Sequence, residues 1–195
     1  MGIDILASSL HKNFGPSGVG FLYIKKELMK NLNCFLVGGE TVADTNYAIP
    51  QYAPLPYKFE AGLQNYAGII GGGNAIDFIE NIGTSKINEY KIQLNNILTE
   101  KLKTIPDLII LGPDSPLLRG GICNFIINGI DSFAIAKILS ESNNIMLRAG
   151  YHCVHAWFHK NNISPSLRVS VQIYNTEEEI LVFADAIKKI SAYFK

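Results

Sequence analysis

Along the first part of the chain apolar residues come in short blocks; from residue 84 onward they recur at regular intervals. The opening block, Ile3-Asp4-Ile5-Leu6-Ala7-Ser8, predicts a strand whose sheet neighbours come from elsewhere. Residues 9–18 follow as a loop dense in turn formers, ending Gly15-Pro16-Ser17-Gly18. Val19-Gly20-Phe21-Leu22-Tyr23-Ile24 predicts a second strand, so whatever the loop carries lies near the sheet. Residues 34–66 show no period and contain Pro50, Pro54 and Pro56. A bare loop of that length is uncommon in a compact domain and is expected to be functional or packed on a partner. Residues 66–82 look helical despite Gly68, Gly71, Gly72 and Gly73. Each glycine costs a helix about 1 kcal/mol, so close backbone packing is the expected reason for them.

The later pattern is cleaner. Thr84 or Ser85 is expected to cap a helix with Ile87, Tyr90, Leu94, Ile97, Leu98 and Leu102 on its apolar stripe. Strands are predicted at 108–111, 122–127, 145–148 and 167–173, and a short helix capped by Asp131 runs to Leu139. Thr176-Glu177-Glu178-Glu179 has the form of a capping box. It opens a last helix with Ile180, Phe183, Ile187, Ile190 and Phe194 on one stripe. Residues 86–195 thus read as an α+β domain with helices on one face of a small sheet.

Composition narrows the function classes. The chain has 195 residues, 48% hydrophobic and 17% charged, which excludes a disordered protein. Lys plus Arg equals Asp plus Glu at 17 each, so no net positive field draws nucleic acid or anionic lipid. Three cysteines are too few, and odd in number, for a disulfide framework, and fit a reducing compartment. No apolar run reaches the roughly 20 residues that span a bilayer. The first residues lack the basic segment of a signal peptide. These features predict a soluble cytoplasmic protein with neither nucleic acid nor membrane as partner.

Three side chains stand out as chemistry. Lys12 follows a predicted buried strand, between His11 and a Gly-Pro-Ser-Gly turn. An amine held against a sheet edge would be desolvated and become nucleophilic; the alternative is a solvated loop lysine. Cys153, in Arg148-Ala149-Gly150-Tyr151-His152-Cys153, has His152 and Arg148 nearby to favour a thiolate, or it is an inert apolar residue as Cys34 and Cys123 look to be. Arg168 lies in Leu167-Arg168-Val169-Ser170-Val171-Gln172-Ile173, whose alternation places it on the face opposite the core. An arginine fixed on a strand can hold a carboxylate by two parallel hydrogen bonds, or can form a weak surface ion pair. Two other motifs fall short. Gly71-Gly72-Gly73-Asn74-Ala75-Ile76 lacks the last glycine of a dinucleotide fingerprint. His152, Cys153, His155 and His159 lack a second cysteine pair at zinc-finger spacing.

Four segments occur together in an order that resembles the cysteine desulfurases. They are Ser9-Leu10-His11-Lys12, Phe59-Glu60-Ala61-Gly62, Arg148-Ala149-Gly150-Tyr151-His152-Cys153, and Leu167-Arg168-Val169-Ser170 followed by Tyr174-Asn175-Thr176. Those enzymes are pyridoxal-phosphate members of the class V aminotransferase group, a subgroup that includes selenocysteine lyases and serves iron–sulfur cluster assembly. The resemblance implies an α/β fold: the C-terminal portion of the pyridoxal-phosphate transferase fold of aspartate aminotransferase type. Residues 1–85 would be the C-terminal part of the large cofactor-binding domain. Residues 86–195 would be the small α+β domain, an antiparallel sheet covered by helices.

The roles follow from the same resemblance. Lys12 would form the Schiff base with pyridoxal 5'-phosphate. Ser9 and His11 would hold the cofactor phosphate, and Gly62 would lie where the other subunit approaches it. Cys153 would accept sulfur from L-cysteine as a persulfide, releasing L-alanine. Arg168 would clamp the substrate carboxylate, with Arg148 beside it. Selenocysteine is the other substrate implied, and the partners are a second subunit, or a complementary N-terminal half, and a sulfur-acceptor protein. Leu63 stands where the family has a threonine that donates to the phosphate. Family members are also about twice as long, as befits a two-domain enzyme. The aromatic ring stacked on the cofactor and the Asp paired with its pyridinium nitrogen come from the half not represented here. A non-catalytic subunit or remnant, keeping the small domain and dimer surface, is the alternative, and a metal-binding module is a third reading.

Overall fold

The computed structural model describes residues 2–194. The chain divides into two compact units, with the boundary between Ile82 and Gly83.

In the first unit β1 (Ile5–Ser9) and β2 (Gly20–Ile24) form an antiparallel hairpin with Ser9 opposite Gly20 and Ile5 opposite Ile24. A Cβ on Gly20 would lie 2.7 Å from the Ser8 carbonyl oxygen, which explains the glycine. The hairpin loop begins with a single 3-10 turn, Leu10–Lys12. Leu10 organises it: its N–H donates to Val19 O at 3.0 Å, and its carbonyl accepts from Asn13 N at 2.8 Å and Gly15 N at 2.9 Å. After the short α1 (Lys26–Met29), the aperiodic segment is less bare than expected. It contains a second hairpin, β3 (Val42–Thr45) with β4 (Pro50–Tyr52). Its turn is made by Asn46, whose Oδ1 accepts from the N–H groups of Ala48 and Ile49, both at 2.9 Å.

Helix α2 (Tyr66–Ile82) shows what its glycines are for. A Cβ on Gly68 would meet Val19 Cγ2 at 2.3 Å, on Gly71 Pro16 Cγ at 2.8 Å, and on Gly72 Leu10 Cδ1 at 2.3 Å. The helix backbone therefore lies directly against the loop that carries Lys12. Gly73 faces open space.

The second unit comprises α3 (Thr84–Leu102), β5 (Leu108–Leu111), β6 (Ile122–Ile127), α4 (Ser132–Asn143), β7 (Arg148–Gly150), α5 (His155–Lys160), β8 (Ser166–Ser170) and α6 (Glu177–Tyr193). The four strands make an antiparallel sheet in the order β5-β6-β8-β7. Cys123, Phe125 and Ile127 on β6 and Leu167 on β8 point into one core. They meet Leu94, Leu98 and Leu102 of α3, Ile135 and Leu139 of α4, and Phe183 and Ile187 of α6. Alternation then sends Asn124, Ser166 and Arg168 to the other face.

Several local expectations shift. Neither Thr84 nor Ser85 caps α3; Gly83, with φ of 93°, takes that position. Helix α4 continues past Leu139 to Asn143 and stops at Asn144, which is left-handed. The strand expected at 145–148 starts only at Arg148, and the one expected at 167–173 ends at Ser170. Phe194 is exposed, beyond the end of α6. Asp131 does cap α4, accepting from Phe133 N and Ala134 N, and Thr176 with Glu179 closes the capping box at α6.

Candidate active site

Strand pairing builds the polar face of the second unit. In register, Arg168 on β8 lies opposite Asn124 on β6 and Arg148 on β7. Two guanidinium groups opposed on neighbouring strands repel each other, so an anion between them relieves the pair. Arg168 is half-buried and its Nε is buried without a hydrogen-bond partner. That is a donor in need of an acceptor.

After β7 the chain turns sharply. Gly150 has φ of 122°, His152 of 51° and Cys153 of 66°. Left-handed conformation at a non-glycine residue costs about 1 to 2 kcal/mol, so this turn is strained twice over. Val154 N donates to Tyr151 O at 2.9 Å, and the Tyr151 ring packs edge-on against buried Phe158, 5.4 Å between centroids. The result presents Cys153 as an exposed thiol, and Arg148 Nη2 donates to its Sγ at 3.1 Å. That contact sets a fixed positive charge against the sulfur.

The other cysteines differ. Cys123 is fully buried, and burial pushes its thiol up to about 11 despite Arg119 nearby. Cys34 is half-buried and donates to Lys58 O at 3.1 Å.

His152 does not lie against the thiol as the sequence suggests. Its Nε2 is 2.9 Å from Ser166 Oγ, and Ser166 in turn donates to Asn124 Oδ1 at 2.8 Å. Burial, then Arg168 and Arg148, hold the imidazole below its ordinary value of 6.5, so it is neutral at neutral pH. Sequence reading passed over Ser166 and Asn124. The available signal was a polar Asn124 in the middle of the apolar strand Ile122–Ile127.

In the first unit Ser9, His11 and Lys12 are grouped at the mouth of the β1–β2 hairpin. Of the two readings of Lys12, the solvated loop lysine is the one this chain shows. The preceding strand is largely exposed, not buried, and the lysine itself is exposed. The segment with Glu60 and Gln64 lines a groove of about 610 Å³ that also takes in Ser8, Phe21 and Leu22 of the hairpin. Gly62 between them has φ of 77°, and its N–H donates to Gly39 O at 2.8 Å. Leu63 is exposed and offers no donor.

Other chemistry finds less support. Among the described residues no three His, Cys, Asp or Glu side chains converge as for a metal ion. Among them, too, no helix is long and apolar enough to cross a membrane.

The profile of the aminotransferase class-V family matches residues 1–183. The chain belongs to that family. A probable cysteine desulfurase of Streptomyces coelicolor is 34% identical over 98% of this chain and 46% of its own length. The solved apo cysteine desulfurase of Thermococcus onnurineus NA1 superposes with a TM-score of 0.92 at 31% identity, covering 97% of this chain and 47% of that one. The cysteine desulfurase CsdA of Escherichia coli, in an S-sulfonic acid form, gives 0.89 at 27% identity, covering 98% and 46%. The chain spans about half the length of the curated relatives it matches. The fold is the expected C-terminal portion of this class V architecture, α/β with antiparallel sheets and helices.

Proposed function

We propose that this chain is the C-terminal half of a pyridoxal 5'-phosphate-dependent cysteine desulfurase and works with a complementary N-terminal half, in the reducing cytoplasm. Residues 1–85 are the end of the large cofactor-binding domain and residues 86–195 the small domain. The observation that carries this reading is the exposed Cys153 thiol 3.1 Å from Arg148, on the strand directly opposite Arg168 with its unpartnered Nε.

The donor set fits the cofactor. Lys12 offers an amine to an aldehyde, and the Ser9 hydroxyl and His11 imidazole suit a phosphate. When bound, the cofactor supplies an electron sink next to the substrate α-carbon. Lys12 takes the proton from the substrate α-carbon and returns it there. Arg168 grips the carboxylate of L-cysteine, or of selenocysteine, by its two-pronged guanidinium. Arg148 holds the Cys153 thiolate, whose lone pair attacks the substrate sulfur. The substrate carbon–sulfur bond breaks with its electron pair left on carbon, and a proton returned there gives alanine. The sulfur remains on Cys153 as a persulfide, to be collected by an acceptor protein for iron–sulfur cluster assembly. Gly62 lies where the other subunit would approach the cofactor phosphate. Leu63 donates nothing, so the chain alone binds the cofactor weakly.

The test is reconstitution with an N-terminal half from a class V relative, reading alanine formed from L-cysteine and, with a thiol reductant added to cleave the persulfide, sulfide. Cys153→Ser abolishes sulfide release and spares cofactor binding. Lys12→Ala abolishes the reactions with both L-cysteine and selenocysteine. Cys34→Ser and Cys123→Ser change little. Full activity in Cys153→Ser, or its loss in Cys34→Ser, would refute the assignment.

A further inference from the structure

The sheet face that carries Arg148 and Arg168 also carries a hydrogen-bonded chain with no part in the chemistry just described. Ser166 is fully buried, and its hydroxyl donates to Asn124 Oδ1 at 2.8 Å. A hydroxyl has one proton to give. With that proton committed, Ser166 Oγ accepts from His152 Nε2, 2.9 Å away. The neutral imidazole therefore carries its proton on Nε2, and its Nδ1 lone pair is left buried and unpartnered.

His152 immediately precedes Cys153, and both residues are left-handed. Both would relax to ordinary backbone if released, so something must hold them. The backbone supplies one bond across the turn, Val154 N to Tyr151 O. The side-chain tie to buried Ser166 is the second. It runs from the turn to β8 and on to β6, the two central strands of the sheet.

We infer that His152 is a positioning residue: through Ser166 and Asn124 it anchors the strained turn to the central strands and keeps the Cys153 thiol beside the Arg148 guanidinium. The inference rests on the reading of Cys153 as the sulfur-accepting thiol, but its test requires no sulfur transfer.

The purified 195-residue chain is alkylated with iodoacetate and, separately, with iodoacetamide. Mass spectrometry follows the Cys153 peptide apart from those of Cys34 and Cys123. A guanidinium at the thiol favours the anionic reagent, so the iodoacetate-to-iodoacetamide rate ratio reports how closely Arg148 is held. His152→Ala and Ser166→Ala each lower that ratio by about tenfold, because a charge fixed beside a reacting group concentrates its counter-ion by that order. His152→Gln, whose amide N–H reaches where Nε2 reaches, restores it, and the shorter His152→Asn does not. Far-UV circular dichroism checks that each variant is folded; should His152→Ala unfold, the Gln and Asn pair decides. A ratio within about twofold of the parent in His152→Ala, or equal ratios in Gln and Asn, overturns the positioning role, since the enrichment expected from a fixed charge exceeds that margin. A full effect on the ratio in a chain whose reconstituted pair releases no sulfide leaves the positioning role standing and removes the sulfur-accepting one.

Discussion

Phe125 on β6 is fully buried, whereas Leu22 on β2, an apolar residue on a strand of similar length, is 60% exposed. The contrast extends to the units around them. In the second unit three helices cover one face of a four-stranded sheet and a continuous apolar core forms between them. In the first, Phe21, Leu22 and Tyr23 are consecutive and all exposed, as are Ile5 and Leu6 opposite. Consecutive strand residues point to opposite faces, so both faces of this hairpin are open. A two-stranded ribbon is at best marginally stable in water, and both faces of this one require covering. The difference teaches that the two units solve different problems. The second has a core of its own and can hold a strained turn with an exposed thiol. We propose that the first is a piece of a larger sheet, which a complementary half completes.

The largest expected effect separates the two outright. Phe125→Ala removes a buried ring and should cost about 3 to 5 kcal/mol. The loss should appear in the chemical-denaturation transition of the second unit. Leu22→Ala should change the stability of the isolated chain by no more than about 0.5 kcal/mol, as for other surface sites. It should instead weaken association with the complementary half, measured by titration calorimetry. Equal destabilisation of the isolated chain by both substitutions would erase the distinction.

A second pair works within the first unit. Gly72→Ala drives a methyl into Leu10 Cδ1, a buried side chain. Overpacking of that kind costs about 1 to 3 kcal/mol, and here it displaces the residue two places before Lys12. Gly73→Ala meets nothing and should stabilise α2 by up to about 1 kcal/mol. Thermal unfolding of the two variants gives the sign of each. If Gly72→Ala were also stabilising, the close approach of α2 to the Lys12 loop would not matter to the fold.

Much of the second unit was legible in the sequence because its elements satisfy themselves. The 3.6-residue stripe of α3, the Asp131 cap and the Thr176–Glu179 capping box are local signals, and each is realised. The same holds for three of the four glycines of α2: Gly68, Gly71 and Gly72 lie where the backbone meets another segment, whereas Gly73 does not. The strand before Lys12 reads as buried and is largely exposed, for a physical reason. Apolar strands such as Ile5–Ser9 announce that they will be buried, but not by what, and the covering surface is not in this unit. The chain from His152 through Ser166 to Asn124 was invisible because it joins residues 14 and 42 positions apart, through a cross-strand register that no local pattern encodes.

The smallest effect concerns pH and belongs to the second unit alone. His152 faces Arg148 on β7 and Arg168 on β8, with the exposed Cys153 thiol next to it in sequence, and the rings of His155 and His159 on α5 stack on neighbouring Tyr151. Burial and the two guanidiniums oppose its protonation in the folded chain. The unfolded chain, lacking them, takes up a proton as pH falls through about 6.5, while the folded chain does so only at lower pH. Between those points the unfolded state binds more protons, so stability falls with falling pH. The contribution is complete above the unfolded value and lost progressively on acidification. Because the imidazole is only half-buried, solvent screens the repulsion and the loss is modest. Melting temperatures at pH 7.5 and 5.5 should therefore drop more for the parent chain than for His152→Gln, which keeps the N–H donor and cannot take up the proton. The drop should lie in the transition that Phe125→Ala shifts. An identical pH response in the two chains would show that the guanidinium pair does not press on His152, and with it the electrostatic part of the contrast between the units would go.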